Sequence, residues 1–129
     1  MVPIMKESTV KILDDKDMEF VETLRSLSVP RNVATLITFL ANVDEASSRE
    51  IEMGSDLRQP EVSIAMRTLR ENSWIEEKEI KREGKGRPMK VYSLKASIDE
   101  IIRHFEEEKM QESALAMESI QRLKQLIST

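Results

Sequence analysis

Five cations fall within ten residues in the run Lys81-Arg82-Glu83-Gly84-Lys85-Gly86-Arg87-Pro88-Met89-Lys90, opposed by one carboxylate, Glu83. Lys81, Arg82, Lys85, Arg87 and Lys90 suit one kind of chemistry, the binding of an anion such as phosphate. Gly84 and Gly86 lack a Cβ, so the backbone there can approach such a ligand closely. Arg87, at the tip of the run, suits a narrow groove of concentrated negative potential. A second group lies upstream: Arg58, Gln59, Pro60, Glu61, Ser63 and Arg67. Apart from Pro60, their hydrogen-bonding patterns match base edges, with Arg suited to guanine, Gln to adenine and Glu to the amino group of cytosine. Arg58 and Arg67 fit phosphates equally well, and spacing alone leaves both roles open.

Other chemistries find little support. Cysteine is absent, which removes disulfides, thiolate metal ligands and a thiol nucleophile together. The single histidine, His104, is read as a surface or interface residue, and no metal site or cofactor is expected. There is no phosphate-binding P-loop, no G-x-S-x-G elbow and no H-E-x-x-H pair, so the chain is not expected to be an enzyme. No apolar run approaches a membrane span, and the N-terminal residues lack the pattern of a signal peptide; a cytoplasmic location is the default expectation.

The net charge of −4 looks wrong for a protein that binds phosphates. Its distribution is more informative. Residues 1–57 carry 6 Lys/Arg against 11 Asp/Glu, residues 58–96 carry 10 against 6, and residues 97–129 carry 4 against 7. A middle segment of +4 sits between ends of −5 and −3. Phosphate contacts need local positive charge, and an acidic remainder confines binding to one face.

Helices must position these groups. Phe20, Val21, Leu24 and Leu27 recur on one helical face, and Val33, Leu36, Ile37 and Leu40 form a second stripe after Pro30. Ser47 and Glu50 form a capping-box signature for a short helix near 48–54, with Gly54 expected to supply positive φ at its end. Val62, Ala65, Met66 and Leu69 give the next helix its core face and leave Glu61, Ser63, Arg67 and Arg70 outside. The period then changes. Trp74–Lys81 and Met89–Leu94 read as two strands joined by the Gly-rich basic turn, with Trp74 a core anchor or strand-start residue and not a stacking platform for bases. Residues 97–127 return to helix in two clusters, Ile98–Phe105 and Met110–Ile127, separated at Glu106–Lys109 by an expected exposed bend. Residues 1–15 read as an arm or a short strand, since Ser8–Leu13 alternates weakly.

A short capped helix, a turn, an amphipathic helix and a basic hairpin make the layout of a helix-turn-helix followed by a wing. In such a motif the second helix enters the major groove and the hairpin reaches phosphates or the minor groove. The run Ser48-Arg49-Glu50-Ile51, Asp56–Ser63, Leu69–Ile75, Gly84–Pro88 and Val91-Tyr92-Ser93-Leu94 resembles archaeal winged-helix transcriptional regulators of the ArsR-like, TrmB-like and MarR-like groups. The resemblance covers about residues 30–95. It implies a cytoplasmic homodimer on a palindromic double-stranded DNA operator. Two departures stand out: metal-sensing ArsR-like members carry Cys or several His, and TrmB-like members carry a large sugar-binding domain.

The expected fold is therefore mostly α with a small β-hairpin, in three parts: an arm at 1–15, a winged helix-turn-helix domain at 16–96, and a C-terminal dimerisation helix at 97–129. Ile102, Phe105, Met110, Met117, Ile120, Leu123 and Ile127 are expected at the dimer interface, because an apolar stripe of that size is rarely left in water. A small-molecule effector is compatible with this reading. The rival readings are a winged-helix protein-interaction module and a nonspecific, chromatin-type DNA binder.

Overall fold

Helix α1, Asp15–Ser26, begins where Asp14 and Asp17 cap each other. The Asp17 N–H donates to Asp14 Oδ1 at 2.9 Å, and the Asp14 N–H donates to Asp17 Oδ2 at 3.0 Å. Two acids in the first turn and Arg25 in the last also suit the helix dipole. In the computed structural model, residues 12–81, 86 and 88–129 are described. The expected arm or strand at 1–15 falls mostly outside them, and so do Arg82, Lys85 and Arg87.

Helix α2, Arg31–Ala41, is the centre of the core. Every residue from Val33 to Leu40 is buried, a pattern wider than the four-residue stripe in the sequence. Such a helix has neighbours on all sides. Its two buried hydroxyls are satisfied internally, Thr35 donating to the Arg31 carbonyl at 2.7 Å and Thr38 to that of Ala34 at 2.8 Å. Pro30 stands just ahead of the helix, at the cap position.

Strand β1, Ala46–Ser47, leads directly into α3, Ser48–Ser55. The expected capping box is present: the Glu50 N–H donates to Ser47 Oγ at 3.2 Å and the Ser47 N–H to Glu50 Oε1 at 2.9 Å. The end of α3 differs from expectation. Gly54 is a buried residue inside the helix, and Asp56 takes the left-handed conformation with φ 63°. The short polar Asp tolerates the left-handed region better than most residues.

Helix α4, Gln59–Glu71, buries Val62, Ala65, Met66 and Leu69. It ends in a Schellman arrangement, with Ser73 N–H bonded to the Arg70 carbonyl at 3.0 Å and Trp74 N–H to that of Leu69 at 2.9 Å. Ser73 holds φ 60° there. The Trp74 side chain is buried, consistent with a core anchor.

Strands β2, Ile75–Ile80, and β3, Met89–Leu94, pair antiparallel from Ile75↔Leu94 to Ile80↔Met89. The sheet has a third strand absent from the sequence reading. β1 pairs with β3 through Ala46↔Tyr92 and Ser47↔Val91, giving the order β1-β3-β2. Two residues are too few to show a period of two, which is why β1 has no sequence signature. Central β3 accordingly buries both Val91 and Tyr92.

The contacts of the chain fall into two units that divide between Ala96 and Ser97. The second is a single helix, α5, Ile98–Ser128, capped by Ser97 and Glu100. Its 31 residues extend about 46 Å. It buries only Ile101 and Phe105. The expected bend at Glu106–Lys109 does not occur. The segment contains neither Gly nor Pro, and Glu and Lys are strong helix formers. Contacts along the helix from His104 Nε2 to Glu108 (3.4 Å) and from Lys109 to Glu112 (3.1 Å) reinforce it. No helix among the described residues is long and apolar enough to cross a membrane.

Candidate nucleic-acid interface

Helix α4 has two chemically different sides. Its buried side fixes it against the core. Its outer side exposes Gln59, Pro60, Ser63, Ile64, Arg67 and Arg70 to solvent. Positions 60, 64 and 67 lie one above another, as do 59, 63 and 67, because helical neighbours recur at three and four residues. Gln59 Nε2 lies 3.3 Å from Ser63 Oγ, so these two form a linked polar pair. Arg67 has no ion-pair partner among the described residues, and neither does Arg58.

Glu61 is placed differently from its neighbours. Its carboxylate accepts the Arg58 backbone N–H at 2.9 Å through Oε1, and Oε2 lies 3.9 Å from Arg31. Its carbonyl also accepts from the Asn32 carboxamide at 3.3 Å. The carboxylate is one half of a capping box whose other half is missing, because an arginine side chain has no acceptor to return. Pro60, in the first turn, lacks an N–H at a point where the helix cannot use one. Glu61 and Pro60 therefore fix where α4 starts and how it is held against α2. Gln59, Ser63 and Arg67 are left as the outward polar groups.

The hairpin is linked to α4 through one carboxylate. Glu77 on β2 lies 3.4 Å from Arg70 of α4 and 3.4 Å from Lys90 of β3. Lys78 pairs with Glu45 at 3.3 Å on the strand's other side. Lys81 and Gly86 are exposed, and Gly86 has φ +106°, a conformation that a side chain would strain. Among the described residues nothing lies within 4 Å of a Cβ placed at Gly86, so the backbone conformation is the visible reason for glycine there. Of the cations in the basic run, Lys81, with no ion-pair partner among the described residues, and Lys90, paired with Glu77, are placed.

A small cleft of about 90 Å³ lies between the start of α3, the outer side of α4 and β3, lined by Ser48, Gln59, Ser63, Arg70 and Tyr92 among others. That is room for a few water molecules, well below the size of a usual small-molecule pocket. Among the described residues, no group of three or more His, Asp or Glu is placed to hold a metal ion.

One exposed residue escaped the sequence reading. Ile64 is 55% exposed in the middle of the outer face, between Pro60 and Arg67. Its signal was present in the sequence, since it falls outside the i, i+3, i+4, i+7 stripe of Val62, Ala65, Met66 and Leu69. The residues expected at an intermolecular contact divide. Met110, Met117, Ile120, Leu123 and Ile127 are exposed, and Ile102 is 44% exposed. Phe105 is not available: it is already buried within the chain, its ring edge-on to His104 at 5.4 Å. Helical spacing could not separate it from the others, because the buried and exposed stretches of α5 share one stripe.

The chain matches no protein-family model and no curated protein.

Proposed function

We propose that the chain is a sequence-specific DNA-binding transcriptional regulator of the winged helix-turn-helix class, similar to ArsR-like archaeal regulators. In this reading α3 and α4 form the helix-turn-helix, the β2–β3 hairpin is the wing, and α5 pairs two copies. The observation that carries it is the outer face of α4, where Gln59, Ser63, Ile64 and Arg67 stand exposed together on a helix locked into the core behind them. Such a face offers donors, acceptors and an apolar group to base edges in the major groove. The cations of the 81–90 run supply phosphate affinity.

Glu61 has a positioning role in this scheme, since its carboxylate is already occupied at the helix start. Arg70 of α4 and Lys90 of β3 both lie 3.4 Å from Glu77, so the two cations flank one carboxylate.

Selection of binding sites from random double-stranded DNA at a stated salt concentration tests the proposal. Enrichment of an inverted repeat is expected, with half-sites about one helical turn apart. Salt-dependent binding without enrichment would favour a nonspecific, chromatin-type role, and no binding at low salt would remove the DNA reading altogether.

A further inference from the structure

Helix α5 carries an exposed apolar seam and an uneven distribution of charge. Every residue from Met110 to Thr129 is exposed, including Met117, Ile120, Leu123 and Ile127. Ala116, Ile120, Leu123 and Ile127 are spaced four, three and four residues apart, the spacing of a two-stranded helical seam. Large aliphatic groups this close together on one helix normally mark an interface.

The charges choose how a partner would lie. Residues 98–112 carry six carboxylates against Arg103 and Lys109, a net −4 with His104 neutral. Residues 113–128 carry Glu118 against Arg122 and Lys124, a net +1. A parallel pair would set the Glu106-Glu107-Glu108 run beside its own copy. Like charges held side by side on neighbouring helices oppose pairing. An antiparallel pair crossing near residue 119 would instead bring Lys124 level with the partner's residue 114, two residues from its Glu112, and Arg122 level with residue 116, two residues from its Glu118.

We propose that two copies of this chain pair through α5 as an antiparallel helical pair, with its two-fold axis near Ser119. The axis position follows from the whole exposed apolar stretch of α5, which runs from Met110 to Ile127 and centres close to residue 119. The inference rests on the self-pairing part of the reading above and adds its direction.

The absence of cysteine makes the direction measurable on the full chain. Ser119→Cys, Gln111→Cys and Ser128→Cys each place one spin label on an exposed helix position. In an antiparallel pair, each residue of offset from the axis separates the two labels by about 3 Å, twice the helical rise. The label-to-label distances at positions 111 and 128 should then exceed that at 119 by about 10 Å or more. Equal distances at all three sites would overturn the antiparallel direction while leaving the dimer standing. A monomer in sedimentation at micromolar concentration would overturn the pairing itself, whatever the outcome of the DNA selection.

Discussion

The Asn32 side-chain amide donates to the backbone carbonyl of Glu61 at 3.3 Å, joining the first turn of α2 to the first turn of α4. The same Asn32 accepts from the Val33 N–H at 2.9 Å. The most buried helix of the core is thus hydrogen-bonded to the helix whose outer face is the candidate reader. With Arg31 3.9 Å from the Glu61 carboxylate, two neighbouring residues of α2 set the entry of α4.

Glu61 should therefore behave as a structural residue. Glu61→Ala removes the acceptor for the Arg58 N–H and the charge beside Arg31. Loss of a helix cap costs about 1 kcal/mol, and the half-exposed ion pair adds little. Urea unfolding should show a lower midpoint with an unchanged slope. The selected DNA sequence should stay the same. A changed preference at a single base pair would mean that Glu61 reads DNA directly.

Ser73 offers a stability test independent of function. It holds φ 60° at the end of α4, and Ser28 holds φ 74° after α1 in a second Schellman arrangement. A left-handed residue with a side chain costs roughly 1–2 kcal/mol, partly offset by the greater unfolded-state freedom of glycine. Ser73→Gly is expected to raise stability by about 0.5–1 kcal/mol in thermal or urea unfolding. Ser73→Val should lower it, because branching at Cβ makes the left-handed region worse.

Much of this arrangement was legible in the sequence, and the exceptions have local causes. The Ser47–Glu50 box, the core face of α4 and both long strands announced themselves through side-chain type and period. The left-handed position after α3 did not, because Gly54 advertises backbone freedom that Asp56 uses instead. The continuity of α5 was obscured by the Glu106–Lys109 run, which reads as a break in hydrophobicity although every residue in it favours helix. In the candidate site, the residue types were visible but their employment was not. Packing at the helix start separates Glu61, occupied by the Arg58 N–H and Arg31, from Ser63 and Arg67, which face solvent.

Arg67 should carry more of the specificity than Arg70. Both are exposed, but Arg70 is engaged with Glu77. Arg67→Ala should weaken the selected site by about 1–3 kcal/mol if the guanidinium meets a base edge, and it should relax the preference at that position. Binding titrations against the selected site and single-base variants check this. A uniform loss across all sequences, with a smaller salt slope, would assign Arg67 to phosphate instead.

Ile64 leads to the most chemically specific prediction. The major groove presents one apolar group, the 5-methyl of thymine. An aliphatic side chain exposed between Pro60 and Arg67 suits that methyl and little else on a DNA surface. Replacing each thymine of the selected site with deoxyuridine removes the methyl and leaves base pairing intact. At one position per half-site the change should weaken binding by roughly 1 kcal/mol, about the transfer free energy of a buried methyl group. In the Ile64→Ala variant the same replacement should have no further effect, because the side chain that met the methyl is gone. If wild-type protein binds the deoxyuridine and thymine sites equally at every position, Ile64 does not read thymine, and its exposure needs another explanation.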